Sequence, residues 1–137
     1  MEYEHRFQIR LHDVDHAGVM FFARLFVHGH DAYEAFMAAL GMELGLLIEG
    51  GLRLPIAHAG ADYLQPLRHG ESIVVAVEVE QLGQSSFTMA YAFRCGEELR
   101  ARLRTVHVFL DTASGAPAAL PESIRQRLQN YSRPFSR

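Results

Sequence analysis

The 137-residue sequence predicts an α+β fold, with a long central apolar helix wrapped by a curved antiparallel sheet of about five strands. Two periodicities carry that reading. Between Phe22 and Leu40 apolar residues recur at three- and four-residue spacing, which lines one face of a helix. From Leu54 the spacing drops to two and stays there through four long segments, which is the pattern of half-buried strands. The length fits one domain over residues 1–137, enough to bury about two-thirds of the surface of the unfolded chain.

Glu2 to Leu11 alternates polar and apolar residues weakly and predicts a first strand. A loop over Asp13–Gly18 follows, and Gly18 opens the buried helix. Its stripe is Phe22, Phe26, Gly29, Tyr33, Phe36, Met37 and Leu40, and it stops near Gly41. Gly29 inside that stripe costs about 1 kcal/mol against alanine, so a sheet or a ligand packs very close there. Met42 to Ile48 adds a short second helix before Gly50-Gly51. Leu54–Leu64, Glu71–Leu82, Ser86–Cys95 and Glu98–Asp111 then form an antiparallel meander, with turns containing Pro66, Gly70, Gly83 and Gly96. Ile73, Val75, Val77 and Val79 share one strand face, opposite Glu78 and Glu80, and Phe87, Met89, Tyr91 and Phe93 share another. Pro121–Leu128 predicts a terminal helix and Ser132–Arg137 a frayed tail. One helix covers one face of such a sheet, and the remaining face and edges invite pairing with another copy.

Composition excludes several function classes. A net charge of −3 gives no reason to expect nucleic-acid binding. A single cysteine, Cys95, rules out an internal disulfide framework and suits a reducing compartment. The first ten residues, MEYEHRFQIR, hold no apolar signal segment, and no apolar run approaches the roughly 18 to 20 residues needed to span a membrane. The expectation is a soluble, cytoplasmic domain. All thirteen basic residues are arginine, which removes lysine nucleophiles and Schiff bases.

The chemistry concentrates between Arg10 and Tyr33. Asp13 and Asp15 are two apart, followed by His16 and by Gly18 at the predicted helix entrance. A helix N-terminus offers unpaired N–H groups and a partial positive charge that polarise a carbonyl oxygen. An adjacent carboxylate can then attack that carbonyl or activate a water. Helix capping explains one such acid, but two acids and a histidine exceed what a cap needs. Calcium binding is excluded, because Ala17 and Arg24 stand where an EF-hand loop places ligands. His28 and His30 diverge by about 200° around the helix and do not share a metal, and His30 with Glu34 reads as a surface pair. No metal site follows.

His58 shares a face with Ile56, Gly60 and Asp62 and reads as half-buried and structural. The small residues Ala57, Ala59, Gly60 and Ala61 nevertheless leave room for a ligand. His107, beside Thr105 and Phe109, reads as structural, and Arg100, Arg102 and Arg104 form a positive row suited to phosphate or simply to solvent. Cys95 has no partner motif for a nucleophile, and there is no G-x-S-x-G elbow, P-loop or G-x-G-x-x-G fingerprint.

The pattern Asp-x-Asp-x-x-Gly-Val, then aromatics and a long helix, resembles the hotdog-fold thioesterases of the 4-hydroxybenzoyl-CoA thioesterase family. Asp13 to Phe22 carries the match most strongly. Within that family, His30-Asp31-Ala32-Tyr33-Glu34, Leu54 to Ala59 and Ala101 to Val108 are most similar to 1,4-dihydroxy-2-naphthoyl-CoA hydrolases of quinone biosynthesis. The resemblance implies hydrolysis of an aromatic acyl-CoA thioester to free acid and CoA, with 1,4-dihydroxy-2-naphthoyl-CoA as one substrate. Short- or medium-chain acyl-CoA or acyl-carrier-protein thioesters are the alternative. It implies that Asp15 is the catalytic carboxylate and that a backbone N–H near Phe22 holds the thioester oxygen. Asp13 is then a cap or loop brace. His30, His58 and His16 become candidates to orient substrate hydroxyls or the water, and Gly18, Val19, Ala59 and Gly60 candidates to line the substrate. No cofactor is implied, since CoA is part of the substrate. The family site lies between protomers, which implies a homodimer or a dimer-of-dimers tetramer.

One departure stands out: the turn Leu82-Gly83-Gln84-Ser85-Ser86 carries no charge where some family members place basic residues against the CoA phosphates. Arg68, Arg94 or the arginine row must then serve. Hotdog hydratases carry a histidine five residues after a catalytic aspartate, and here Gly18 and Met20 occupy those positions. A non-catalytic acyl-binding protein on the same fold is the remaining competitor.

Overall fold

The computed structural model describes residues 2–132. The chain runs β1 (Tyr3–Gln8), a 3-10 turn (Leu11–Asp13), α1 (Arg24–Ala39), α2 (Leu44–Glu49), β2 (Ile56–Tyr63), β3 (Ser72–Leu82), β4 (Ser86–Cys95), β5 (Glu98–Val108) and α3 (Glu122–Gln129). The five strands form one antiparallel sheet in the order β1-β3-β4-β5-β2. The long helix lies across it, which is the hotdog arrangement.

Alternation produces the sheet. Ile73, Val75, Val77 and Val79 of β3 and Phe87, Met89, Tyr91 and Phe93 of β4 are all buried on one face. Leu25, Ala32, Phe36 and Met37 of α1 belong to the same core, so the helical and strand periodicities meet there. At Gly29 the helix and sheet approach so closely that a Cβ would stand 2.1 Å from Leu103 Cδ2. The sheet, and no ligand, explains that glycine.

The structure departs from expectation in four places. The meander holds for β3, β4 and β5, but β2 lies at the far edge beside β5. The β3 edge is already taken by β1 (Tyr3 opposite Val77), so the open ladder of β5 is the one available to β2. The helix begins at Arg24 and not near Gly18, because Val19 bridges to Arg68 and the Met20 N–H bonds the Leu67 carbonyl. Phe22 therefore precedes the helix and is 61% exposed, outside the buried stripe. Ser132 bridges to Val79 rather than fraying, and the remainder of the predicted tail lies outside the described residues. No helix among the described residues is long and apolar enough to cross a membrane.

A polar chain runs through the core. Tyr91 Oη and Thr105 Oγ1 are 2.8 Å apart, and Thr105 Oγ1 is 2.8 Å from His107 Nε2. The His107 ring stacks between Tyr33 (centroids 4.2 Å) and Phe87 (5.0 Å). Its Nδ1 and the Tyr33 hydroxyl are buried without a hydrogen-bond partner among the described residues. Burial, helped by the nearby His30, pushes the His107 pKa down to about 3 from an ordinary value of 6.5.

Two outcomes follow from this packing. Gly29→Ala drives a methyl into Leu103, and overpacking of about 1–3 kcal/mol outweighs the gain of about 1 kcal/mol in helix propensity, so the urea midpoint falls. Between pH 6.5 and 3 the unfolded chain binds a proton at His107 that the folded chain refuses. Stability is therefore full above pH 6.5 and declines toward pH 3, by up to about 1.4 kcal/mol per pH unit. Urea titrations between pH 7 and 4 on the wild type and on His107→Gln should show the variant with the shallower decline.

Candidate active site

The segment between β1 and α1 folds as a small hairpin leading into the helix. Gly18 adopts φ +78°, which lets its N–H close a turn on the Asp15 carbonyl at 3.0 Å. The Asp15 N–H bonds the Val19 carbonyl at 3.0 Å, Val14 bridges to Met20, and the Phe21 N–H bonds the Asp13 carbonyl at 2.9 Å. Asp15 is thus at the tip, exposed, with Oδ1 accepting from the Ala17 N–H at 2.8 Å. Oδ2 of Asp15 has no partner among the described residues.

The two aspartates divide sharply. Asp13 is fully buried and accepts three hydrogen bonds at 2.9 Å, from the Arg10 N–H, Arg24 Nε and His28 Nε2. Burial alone would raise its pKa, but those three bonds outweigh it and hold the carboxyl below its usual range. The Phe7 ring lies flat on His28, with centroids 4.0 Å apart. One carboxylate therefore ties the end of β1 to the first turns of α1. Asp13 is a brace, as expected, and far more than a cap.

Backbone donors narrow in the same way. The Gly18, Met20 and Phe21 N–H groups are consumed within the fold. Those of Val19, Phe22 and Ala23 have no acceptor among the described residues, and the last two stand at the N-terminus of α1, which no side chain caps. Helical geometry aims such donors outward along the axis, together with the positive end of the helix dipole. A carbonyl oxygen can dock there.

The histidines are dispersed. His16 is exposed on the hairpin, and His30 is exposed on α1 with its ring 5.7 Å from Tyr33. No ion pair joins His30 to Glu34 among the described residues. His58 is exposed, not half-buried, and a bulge between Ile56 and His58 puts it opposite Val106 while Ile56 opposes His107. The two residues expected on one face are on opposite faces, because a bulge shifts the two-residue alternation by one. Ala59 opposes Thr105 and Gly60 opposes Arg104, so this pair is also split between the faces.

The arginine row is largely occupied. Arg100 pairs with Glu71 (2.8 Å) and Glu98 and bonds the Pro66 carbonyl, while Arg104 pairs with Glu80 at 2.7 Å. The uncharged turn between β3 and β4 receives a guanidinium from α3, where Arg125 bonds the Gly83 and Gln84 carbonyls.

Sequence reasoning missed Arg24, His28 and Tyr63. Arg24 and His28 are one helical turn apart, and that i,i+4 pair of nitrogen donors near an acid was a usable signal. Tyr63, whose hydroxyl bonds the Phe22 carbonyl from 41 residues away, left none.

Residues 9–128 match the thioesterase-like superfamily. A 1,4-dihydroxy-2-naphthoyl-CoA hydrolase from Synechococcus elongatus is 35% identical over 130 residues, spanning 93% of this chain and 96% of the relative. One from Nostoc punctiforme is 29% identical over 134 residues, spanning 97% and 90%. The crystal structure of a 1,4-dihydroxy-2-naphthoyl-CoA thioesterase from Synechocystis superposes with a TM-score of 0.89 at 27% identity, covering 95% of this chain and 97% of that one.

Asp13→Ala leaves Arg24 and the buried His28 without their anion. A loss of about 3 kcal/mol or more is expected from breaking such a pair, read as a lowered urea midpoint. An unchanged midpoint would show that the brace does not hold the hairpin.

Proposed function

The chain belongs to the thioesterase-like superfamily, and we propose that it hydrolyses an aromatic acyl-CoA thioester to the free acid and CoA. One observation carries the proposal: a solvent-facing carboxylate, Asp15, is held on a hydrogen-bonded hairpin that leads directly to two unpaired N–H groups, those of Phe22 and Ala23. In this reading the thioester oxygen docks on those amides, which stabilise the negative charge that develops there. Asp15 then attacks the carbonyl carbon, giving a mixed anhydride and CoA thiolate, and water cleaves the anhydride. Alternatively Asp15 takes a proton from a water that attacks directly. Either route consumes one water and yields one acid and one thiol. CoA enters as part of the substrate and no cofactor takes part.

The relatives named 1,4-dihydroxy-2-naphthoyl-CoA hydrolase, at 29% and 35% identity over nearly the whole chain, support that naphthoyl group as the acyl moiety. The exposed Phe21 and Phe22 beside the helix entrance suit a flat ring. Gly18, Val19 and His16 would line the thioester, and His30 would meet a ring hydroxyl.

A second copy completes this reading. His58 lies five residues from Tyr63 along β2, about 16 Å at 3.3 Å per residue, so it does not reach the helix entrance of its own chain. It belongs to a strand at the sheet edge whose residues are mostly exposed, a surface that ordinarily recruits a partner. We place a homodimer along that edge, with His58, Ala59 and Gly60 serving the other protomer's substrate.

Release of free thiol from 1,4-dihydroxy-2-naphthoyl-CoA, benzoyl-CoA and hexanoyl-CoA tests the proposal. The aromatic thioesters should turn over faster than hexanoyl-CoA, and Asp15→Asn should lose about 100-fold or more in kcat while staying folded, since its side chain is exposed. An Asp15→Asn enzyme as active as the wild type would remove the catalytic assignment, and equal rates across the three thioesters would remove the aromatic one.

A further inference from the structure

We infer that Tyr63 is a positioning residue for thioester hydrolysis, holding the peptide between Phe22 and Ala23 so that its N–H is aimed and strengthened for the substrate oxygen. The inference rests on the thioesterase reading and adds a residue that neither the sequence pattern nor the reaction requires. Tyr63 is the last residue of β2, and its hydroxyl donates to the Phe22 carbonyl at 2.5 Å. That carbonyl has one other donor, the Leu25 N–H, at a longer 3.3 Å. Among the described residues, no other side chain bonds the backbone of Phe21, Phe22 or Ala23.

Peptide geometry turns this contact into a catalytic consequence. A trans peptide is planar, with its C=O and N–H pointing in opposite directions. Fixing the Phe22 oxygen therefore fixes the direction of the Ala23 N–H, one of the two unpaired donors at the helix entrance. A hydrogen bond accepted by the oxygen also polarises the peptide and makes its N–H a stronger donor. The adjacent peptide, which carries the Phe22 N–H, is held by its own carbonyl, to which the Arg24 N–H donates at 2.9 Å. Both donors thus have their planes set from behind, one by the helix and one by Tyr63.

Tyr63 has little else to do. It is 46% exposed and Phe22 is 61% exposed, so the pair lies outside the core. Burial of the hydroxyl raises its pKa, which keeps the donor protonated at any working pH. The ring also lines a cleft of about 260 Å³ with Val19, Met20, Leu64 and Leu67, and a phenylalanine would preserve that wall.

The test compares Tyr63→Phe and Tyr63→Leu with the wild type, using 1,4-dihydroxy-2-naphthoyl-CoA. Both variants should lose about 3- to 10-fold in kcat, the worth of one neutral hydrogen bond, with KM and the urea midpoint unchanged for Tyr63→Phe. In spectra of labelled protein the Phe22 carbonyl carbon and the Ala23 amide nitrogen should both move upfield in Tyr63→Phe. A wild-type kcat in Tyr63→Phe with a depressed one in Tyr63→Leu would reduce Tyr63 to a packing ring and overturn the inference. A raised KM at constant kcat, or unmoved Phe22 and Ala23 resonances, would overturn it equally. Asp15→Asn, run alongside, separates the two levels. If neither the wild type nor Asp15→Asn releases thiol above the uncatalysed rate, the thioesterase reading and this inference both fail, whereas a fully active Tyr63→Phe beside an impaired Asp15→Asn sinks the inference alone.

Discussion

The buried carboxylate of Asp13 is the interaction on which the rest of the site depends. Its side chain takes donors from Arg10 at the end of β1 and from Arg24 and His28 in the first turns of α1, and its backbone carbonyl takes the Phe21 N–H. A buried anion survives only when its charge is matched and its lone pairs are used, and here both conditions are met by groups from three segments. The constraint is mutual. Once Asp13 is anchored, the hairpin that presents Asp15 and the peptides that open α1 have little freedom. The first aspartate of the pair does no chemistry in this reading, and the second does no structural work beyond its own turn.

What could be read from the sequence follows from how local the cause is. β3 and β4 were legible almost to the residue and β5 from its first residue, though it ends at Val108 and not Asp111, because one buried face imposes strict alternation and short turns connect the strands. Gly29 was legible because a glycine inside a helical stripe has one common cause, close approach. The start of α1 was misplaced because Val19 and Met20 are apolar for a long-range reason, their pairing with Arg68 and Leu67. β2 was misassigned in space for a similar reason: which edge it joins is decided by β1, more than fifty residues earlier. The expected division of labour between Asp13 and Asp15 followed the resemblance, and the structure shows that Asp13 is buried and Asp15 exposed. Tyr63 could not have been found, since a side-chain bond to a backbone carbonyl 41 residues away leaves no periodicity.

The two sides of the sheet carry different tasks. The face under α1 is dry and aromatic, and its buried polar chain from Tyr91 through Thr105 to His107 ends in an imidazole kept neutral by its surroundings. The other face bears small residues and charges, with Ala76, Ala90 and Ala92 among Glu78, Glu80, Arg102 and Arg104. Rigid packing on the first face fixes the helix entrance. Variation on the second face can then proceed without disturbing it.

The bulge at Ala57 acts as a parity switch. Upstream of it, Ile56 points to the helix side, and downstream, His58, Gly60 and Asp62 point away while Ala59, Ala61 and Tyr63 point inward. Removing Ala57 would restore plain alternation and leave Ile56, His58 and Tyr63 on the faces they now occupy, because it is the extra residue, opposite no residue of β5. The strand thus carries one residue to spare, and it can lose a codon at this point without redrawing either the rim of the site or the core.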